Sequence, residues 1–96
     1  MTDTDWLTDE TKALLETILR LDSVDDAADF FRDLCTRKEL EDLGHRWAVV
    51  RLLDRGLSYR EIADRTGAST ATVTRINQWL THGTGGYRRA LDRENQ

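Results

Sequence analysis

The stretch Leu57–Leu80, LSYREIADRTGASTATVTRINQWL, decides the fold. Ser58-Tyr59-Arg60-Glu61 reads as a capping box, in which a serine and a glutamate satisfy free backbone N–H groups at a helix start. The helix it opens is short, because Gly67 stands where a turn needs positive φ, a conformation that strains any residue with a Cβ. Ser69 then caps a second helix, from Thr70 to about Thr81. Ile62 and Ala63 face inward on the first helix, the alanine small enough to let the second cross close by. Val73 and Ile76, three apart, form the inner face of the second. Small or apolar residues therefore occupy each demanding position of a helix-turn-helix, a coincidence that an ordinary helical hairpin does not require.

The same signals organise the rest of the chain. Thr36-Arg37-Lys38-Glu39 is another capping box, opening a central helix to about Arg55 with Leu40, Leu43, Trp47, Val50 and Leu53 on one face and Gly56 as its left-handed stop. Before it, Ser23 opens a helix striped with Ala27, Phe30, Phe31 and Leu34. Thr8 opens another, in which Leu14, Leu15, Ile18 and Leu19 recur at helical spacing through Leu21. Gly83, Gly85 and Gly86 mark a flexible exit, with at most a frayed turn beyond Tyr87. The expected layout is one domain: dimerisation helices over 8–35, a central helix over 36–56, the helix-turn-helix over 57–81 and a flexible tail over 82–96. Thirteen leucines against seven valines and isoleucines, with no proline, favour an all-α helical bundle over any sheet.

Composition removes several functions. At 96 residues, 39% hydrophobic and 33% charged, the chain suits one small globular domain. No apolar run approaches the roughly 18 residues of a membrane span and no signal segment stands at the start, so a cytoplasmic location without membrane attachment is expected. Cys35 is alone, which excludes an internal disulfide, and His45 and His82 lie far apart without zinc-type spacing, so no metal site is expected. Cys35 sits with Phe31 and Leu34 and reads as a structural thiol, His45 as a surface or interface residue, and Asp25, Asp26 and Asp29 as a solvated acidic face. No catalytic residue is expected, and the chain does not read as an enzyme.

The net charge of −4 is unevenly spread: residues 1–36 carry 10 acidic and 3 basic side chains, residues 37–96 carry 8 and 11. The positive charge gathers where the helix-turn-helix lies, and no acidic residue occurs between Arg65 and Arg89. Ser69, Thr70, Ala71, Thr74, Arg75 and Gln78 fall on the outer side of the second motif helix, with Arg60 near the start of the first. Hydroxyls suit phosphates or base edges, an alanine methyl suits thymine, and arginine and glutamine pair with guanine and adenine. These are the expected contacts to double-stranded DNA. The overall acidity leaves a second reading, a helix-turn-helix module that binds a regulator or polymerase subunit. Arg37, Lys38, Arg60, Arg65 and Arg75 count against it.

From Leu34 to Leu80 the chain resembles the Trp repressor superfamily, especially its YerC/YecD-type members. The resemblance is carried by Thr36, Glu39, Leu43-Gly44-His45-Arg46, Leu53, Arg55-Gly56, Arg60-Glu61, Gly67-Ala68 and Ala71-Thr72-Val73-Thr74-Arg75. It implies an intertwined all-α homodimer whose two heads enter successive major grooves of a palindromic operator, acting as a repressor. It also implies that Thr70, Ala71 and Thr74 meet base edges and that Arg60 contacts DNA. Arg46 and Arg75 match two arginines that flank the ligand in the tryptophan-sensing member. Ile76 and Trp79 depart from that member, which has a glycine and a small serine there. Ile76 is expected to fill the gap that would take an indole ring, with Trp79 covering the remainder, so L-tryptophan is not expected as a corepressor and no cofactor is implied.

Overall fold

Among residues 5–96, which the computed structural model describes, there are six α-helices and no strand. They fall into two units, the residues up to Arg37 and Lys38–Gln96.

In the first unit, α1 (Asp9–Ile18) and α2 (Val24–Leu34) begin where their caps predict. The Thr8 side chain accepts the Thr11 N–H at 3.1 Å and the Ser23 side chain the Asp26 N–H at 3.0 Å, with acidic residues in both first turns. The first helix stops before Leu21, because Arg20 N–H and Leu21 N–H turn back to the Thr17 and Ile18 carbonyls at 3.0 and 3.2 Å and close its last turn tightly. Cys35 is not on the helix bearing Phe31 and Leu34: it is the extended residue that ends α2, half-buried, its carbonyl accepting from Arg32 Nη1 at 3.2 Å. Phe30 and Phe31 meet edge to face at 5.7 Å. Neither helix buries any side chain fully, and Leu19 and Val24 are each 85% exposed.

The second unit has a true interior. Its helices are α3 (Arg37–Asp54), α4 (Tyr59–Thr66), α5 (Thr70–His82) and α6 (Gly86–Glu94). Val49 and Val50 of α3, Ile62 of α4, Val73 and Ile76 of α5 and Leu91 of α6 are at most 1% exposed and pack as one cluster. The expected α3 face is only partly the buried one: Leu43 is 47% exposed, and Val49 takes the deepest place beside Val50.

The residues after Gly83 are not a flexible tail. They form α6, which starts without a side-chain cap and is held instead by tertiary contacts. Leu91 enters the core, Tyr87 stacks obliquely against Trp47 with ring centres 6.2 Å apart, and Arg88 bonds Asp54 of α3 at 3.0 Å. Asn95 also reaches Asp54, at 3.3 Å, and Arg51 reaches Glu94 at 3.2 Å. No helix of the described residues is long and apolar enough to cross a membrane.

Leu91→Ala should therefore lower the unfolding free energy by about 2–5 kcal/mol, the usual cost of emptying a core leucine site. Urea denaturation followed by circular dichroism checks this, and a value near zero would mean that α6 does not belong to the core.

Candidate nucleic-acid interface

The helix-turn-helix forms as its residues dictate. Ser58 Oγ accepts the Glu61 N–H at 3.2 Å, and its hydroxyl donates to Glu61 Oε1 at 3.2 Å, so this box closes side chain to side chain. Gly67 ends α4 at φ +77°, its N–H donating to the Ala63 carbonyl at 2.9 Å. Thr66 completes the turn: its hydroxyl donates to the Ile62 carbonyl at 2.7 Å and accepts the Ala68 N–H at 3.2 Å. Nothing in the local pattern had marked Thr66, yet it satisfies a turn amide that would otherwise need water.

With Val73 and Ile76 buried, the opposite side of α5 is committed to solvent. Ala71, Thr74, Arg75 and Gln78 follow one another at helical spacing along that side, all exposed, with Ser69 and Thr70 exposed at its start. Several of these groups are pre-set by bonds within the helix. Ser69 Oγ accepts the Thr72 N–H at 3.1 Å and lies 3.0 Å from Thr72 Oγ1. Thr74 donates to the Thr70 carbonyl at 2.8 Å, and Arg75 Nη2 lies 3.3 Å from Thr72 Oγ1. Arg60 is exposed in the first turn of α4. α5 has no acidic residue in its first turn, so the positive end of its dipole is unopposed from within the helix.

A cleft of about 500 Å³ lies between α3 and the α4–α5 turn. Lys38, Asp42, His45 and Arg46 line one wall, Ser69, Thr72 and Arg75 the other, and fully buried Val49 sits at its base. The structure thus brings Arg46 and Arg75 to one place, while Arg60, Thr70, Ala71, Thr74 and Gln78 lie outside it. In the sequence Lys38 counts only as a positive charge, His45 reads as a surface or interface residue and Asp42 is not singled out, yet all three line the cleft. A signal was available in their spacing, since Lys38, Asp42 and Arg46 recur every four residues along α3. Asp42 Oδ1 is 2.9 Å from Lys38 Nζ, and this hydrogen bond, reinforced by the charges of Lys38, Arg46 and His45, holds its carboxyl below the usual range. The same bond raises Lys38.

Ile76 lies in the core at 1% exposure, clustered with Val73 of α5 and Ile62 of α4. Trp79 does not cover the neighbouring cleft. It is 47% exposed and is not among the residues that line that cleft, because three residues on from Ile76 its side chain is turned about 60° from the most buried face of α5.

A head of this kind, with an aliphatic core behind and a hydroxyl- and cation-bearing second motif helix in front, is the architecture of helix-turn-helix proteins. The chain belongs to the Trp repressor family, whose sequence profile matches residues 9–95. It is 42% identical over 84 residues to the uncharacterized protein YerC of Bacillus subtilis (strain 168), an alignment spanning 88% of this chain and 81% of that one. The crystal structure of a TrpR-like protein from Eubacterium eligens ATCC 27750 superposes with a TM-score of 0.92 at 38% identity, over 98% of this chain and 97% of the other. A candidate Trp repressor from Staphylococcus aureus gives 0.89 at 33% identity, over 99% and 96%.

Proposed function

We propose that the chain is a sequence-specific DNA-binding transcriptional regulator, a repressor, that reads a palindromic operator through α5. The observation that carries this is the exposed stripe Ala71, Thr74, Arg75 and Gln78, set opposite the buried Val73 and Ile76. Its methyl, hydroxyl, guanidinium and amide groups are those that distinguish base edges in a major groove. Ser69, Thr70 and Arg60 flank the stripe and complete the contact set. Arg46 and Arg75, sharing the cleft beside the α5 N-terminus, suit a backbone phosphate that fixes register. The description of the Staphylococcus aureus relative as a candidate Trp repressor agrees with this role. The chemistry asked of these residues is binding, and none is assigned a catalytic part.

The competing reading, a module that binds a regulator or polymerase subunit, draws on exposed Trp79 and Tyr59, at 47% and 38%. Mobility shifts with genomic fragments across a range of salt separate the two. Thr74→Glu should abolish selective retention while leaving the helical circular dichroism unchanged, and Arg60→Ala should weaken it by about 1–3 kcal/mol. Wild-type retention by both variants would refute the assignment of α5, and no selective retention at all would favour the protein-binding module.

The working unit in this reading is a homodimer. Leu15, Leu19, Val24 and Leu34 of the first unit are all exposed, apolar surface that a second copy can cover. Two heads about 34 Å apart are also what a palindrome requires. Light scattering at micromolar concentration should give twice the chain mass of 11.1 kDa, and a stable monomer would count against it.

L-tryptophan has no place in this scheme. Ile76 occupies the close-packed space between the motif helices, and forcing a ring in beside it costs about 1–3 kcal/mol or more. Calorimetry should detect no binding of L-tryptophan tighter than roughly 100 μM, about −5.5 kcal/mol. DNA binding is then constitutive with respect to this amino acid, and a tighter constant would overturn the filled-site explanation.

A further inference from the structure

The cleft beside α5 carries a single carboxylate among its cations. Asp42 stands one helical turn after Lys38 and one before Arg46, and all three line the cleft with His45 and Arg75. Lys38 Nζ lies 2.9 Å from Asp42 Oδ1, so the ammonium is engaged by a carboxylate of its own helix. Both side chains are well exposed, at 79% and 50%, and an exposed pair of this kind contributes little to the fold. Its consequence is electrostatic and lies in the cleft.

We infer, on the DNA-binding reading above, that Asp42 is an attenuator of DNA binding: it occupies Lys38 and presents a negative charge where a backbone phosphate would approach. Each cation that neutralises a phosphate releases counterions, which tightens binding to any sequence and steepens its dependence on salt. Asp42 withholds one such cation and repels the incoming phosphate. It therefore sets how firmly any duplex is held, independently of what the α5 stripe reads. Sequence composition hid this, because the acid-free run from Arg65 to Arg89 excludes carboxylates only from the motif helices. The counter-charge arrives from α3.

The test is fluorescence anisotropy of the full chain with a labelled random-sequence duplex, titrated at several salt concentrations. Asp42→Asn should bind about five- to tenfold more tightly at low salt, and its plot of log K against log salt should steepen by about 0.9, the value of one added phosphate contact. Adding Lys38→Met to that variant should return the slope to the wild-type value. Glu41→Gln removes the same charge one residue away, outside the cleft lining, and should change affinity less than twofold. An Asp42→Asn effect no larger than that of Glu41→Gln would overturn the inference, since overall charge would then explain it. So would a steep slope that survives Lys38→Met. These results leave the DNA-binding reading standing, whereas a wild-type chain and an Asp42→Asn variant that both ignore every duplex would overturn that reading as well.

Discussion

Val49, Val50, Ile62, Val73, Ile76 and Leu91 form the interior on which the second unit depends, and they come from four different helices. All are aliphatic, and no polar or charged side chain of the described residues is buried with them. A core this small has no redundancy, since each side chain is a large share of the area removed from water. It also fixes how each helix is rotated about its own axis. Once Val73 and Ile76 are pinned, the 3.6-residue period leaves no choice about which α5 side chains face out. Which positions make up the outer stripe is thus settled by burial on the other side.

α3 divides its length between two tasks. From Trp47 onward it is half-buried or buried apart from Arg51, and it supplies the floor of the core. From Arg37 to Arg46 every residue except Leu40 is exposed, and this polar part forms one wall of the cleft. A rigid rod thereby fixes the position of Lys38, Asp42 and Arg46 relative to the buried valines, and through the core relative to α5. The charges of the cleft owe their placement to apolar packing one to three turns away.

What could be read in the sequence follows from how local the cause is. Caps at Thr8, Ser23, Ser58 and Ser69 and the turn at Gly67 act within three or four residues, and all appear where the pattern put them. Val73 and Ile76 were legible because the motif tolerates few alternatives there. The buried face of α3 was not, because WAVVRLL is apolar nearly all round and only the packed neighbours choose Val49 over Leu43. Nor was α6, whose bonds to Asp54 join residues 34 and 41 positions apart and whose glycine start carries no cap. The cleft lay between these cases. Arg46 and Arg75 could be paired through a resemblance, but that Asp42, one turn before Arg46, shares their cleft needed the folded wall.

α5 is restrained at both ends as well as along its back. At one end the Thr66–Gly67 turn satisfies its own amides; at the other, a Cβ on Gly83 would collide with the Trp79 carbonyl, and α6 returns at once to plug Leu91 into the core. Such a helix is seated like a beam on two piers, and turning or sliding it would unseat Val73 and Ile76 from the core. On the DNA-binding reading, a duplex laid against a helix so seated would adapt by bending or by a change of groove width, so flexible base steps that no side chain touches would help decide which sites are accepted.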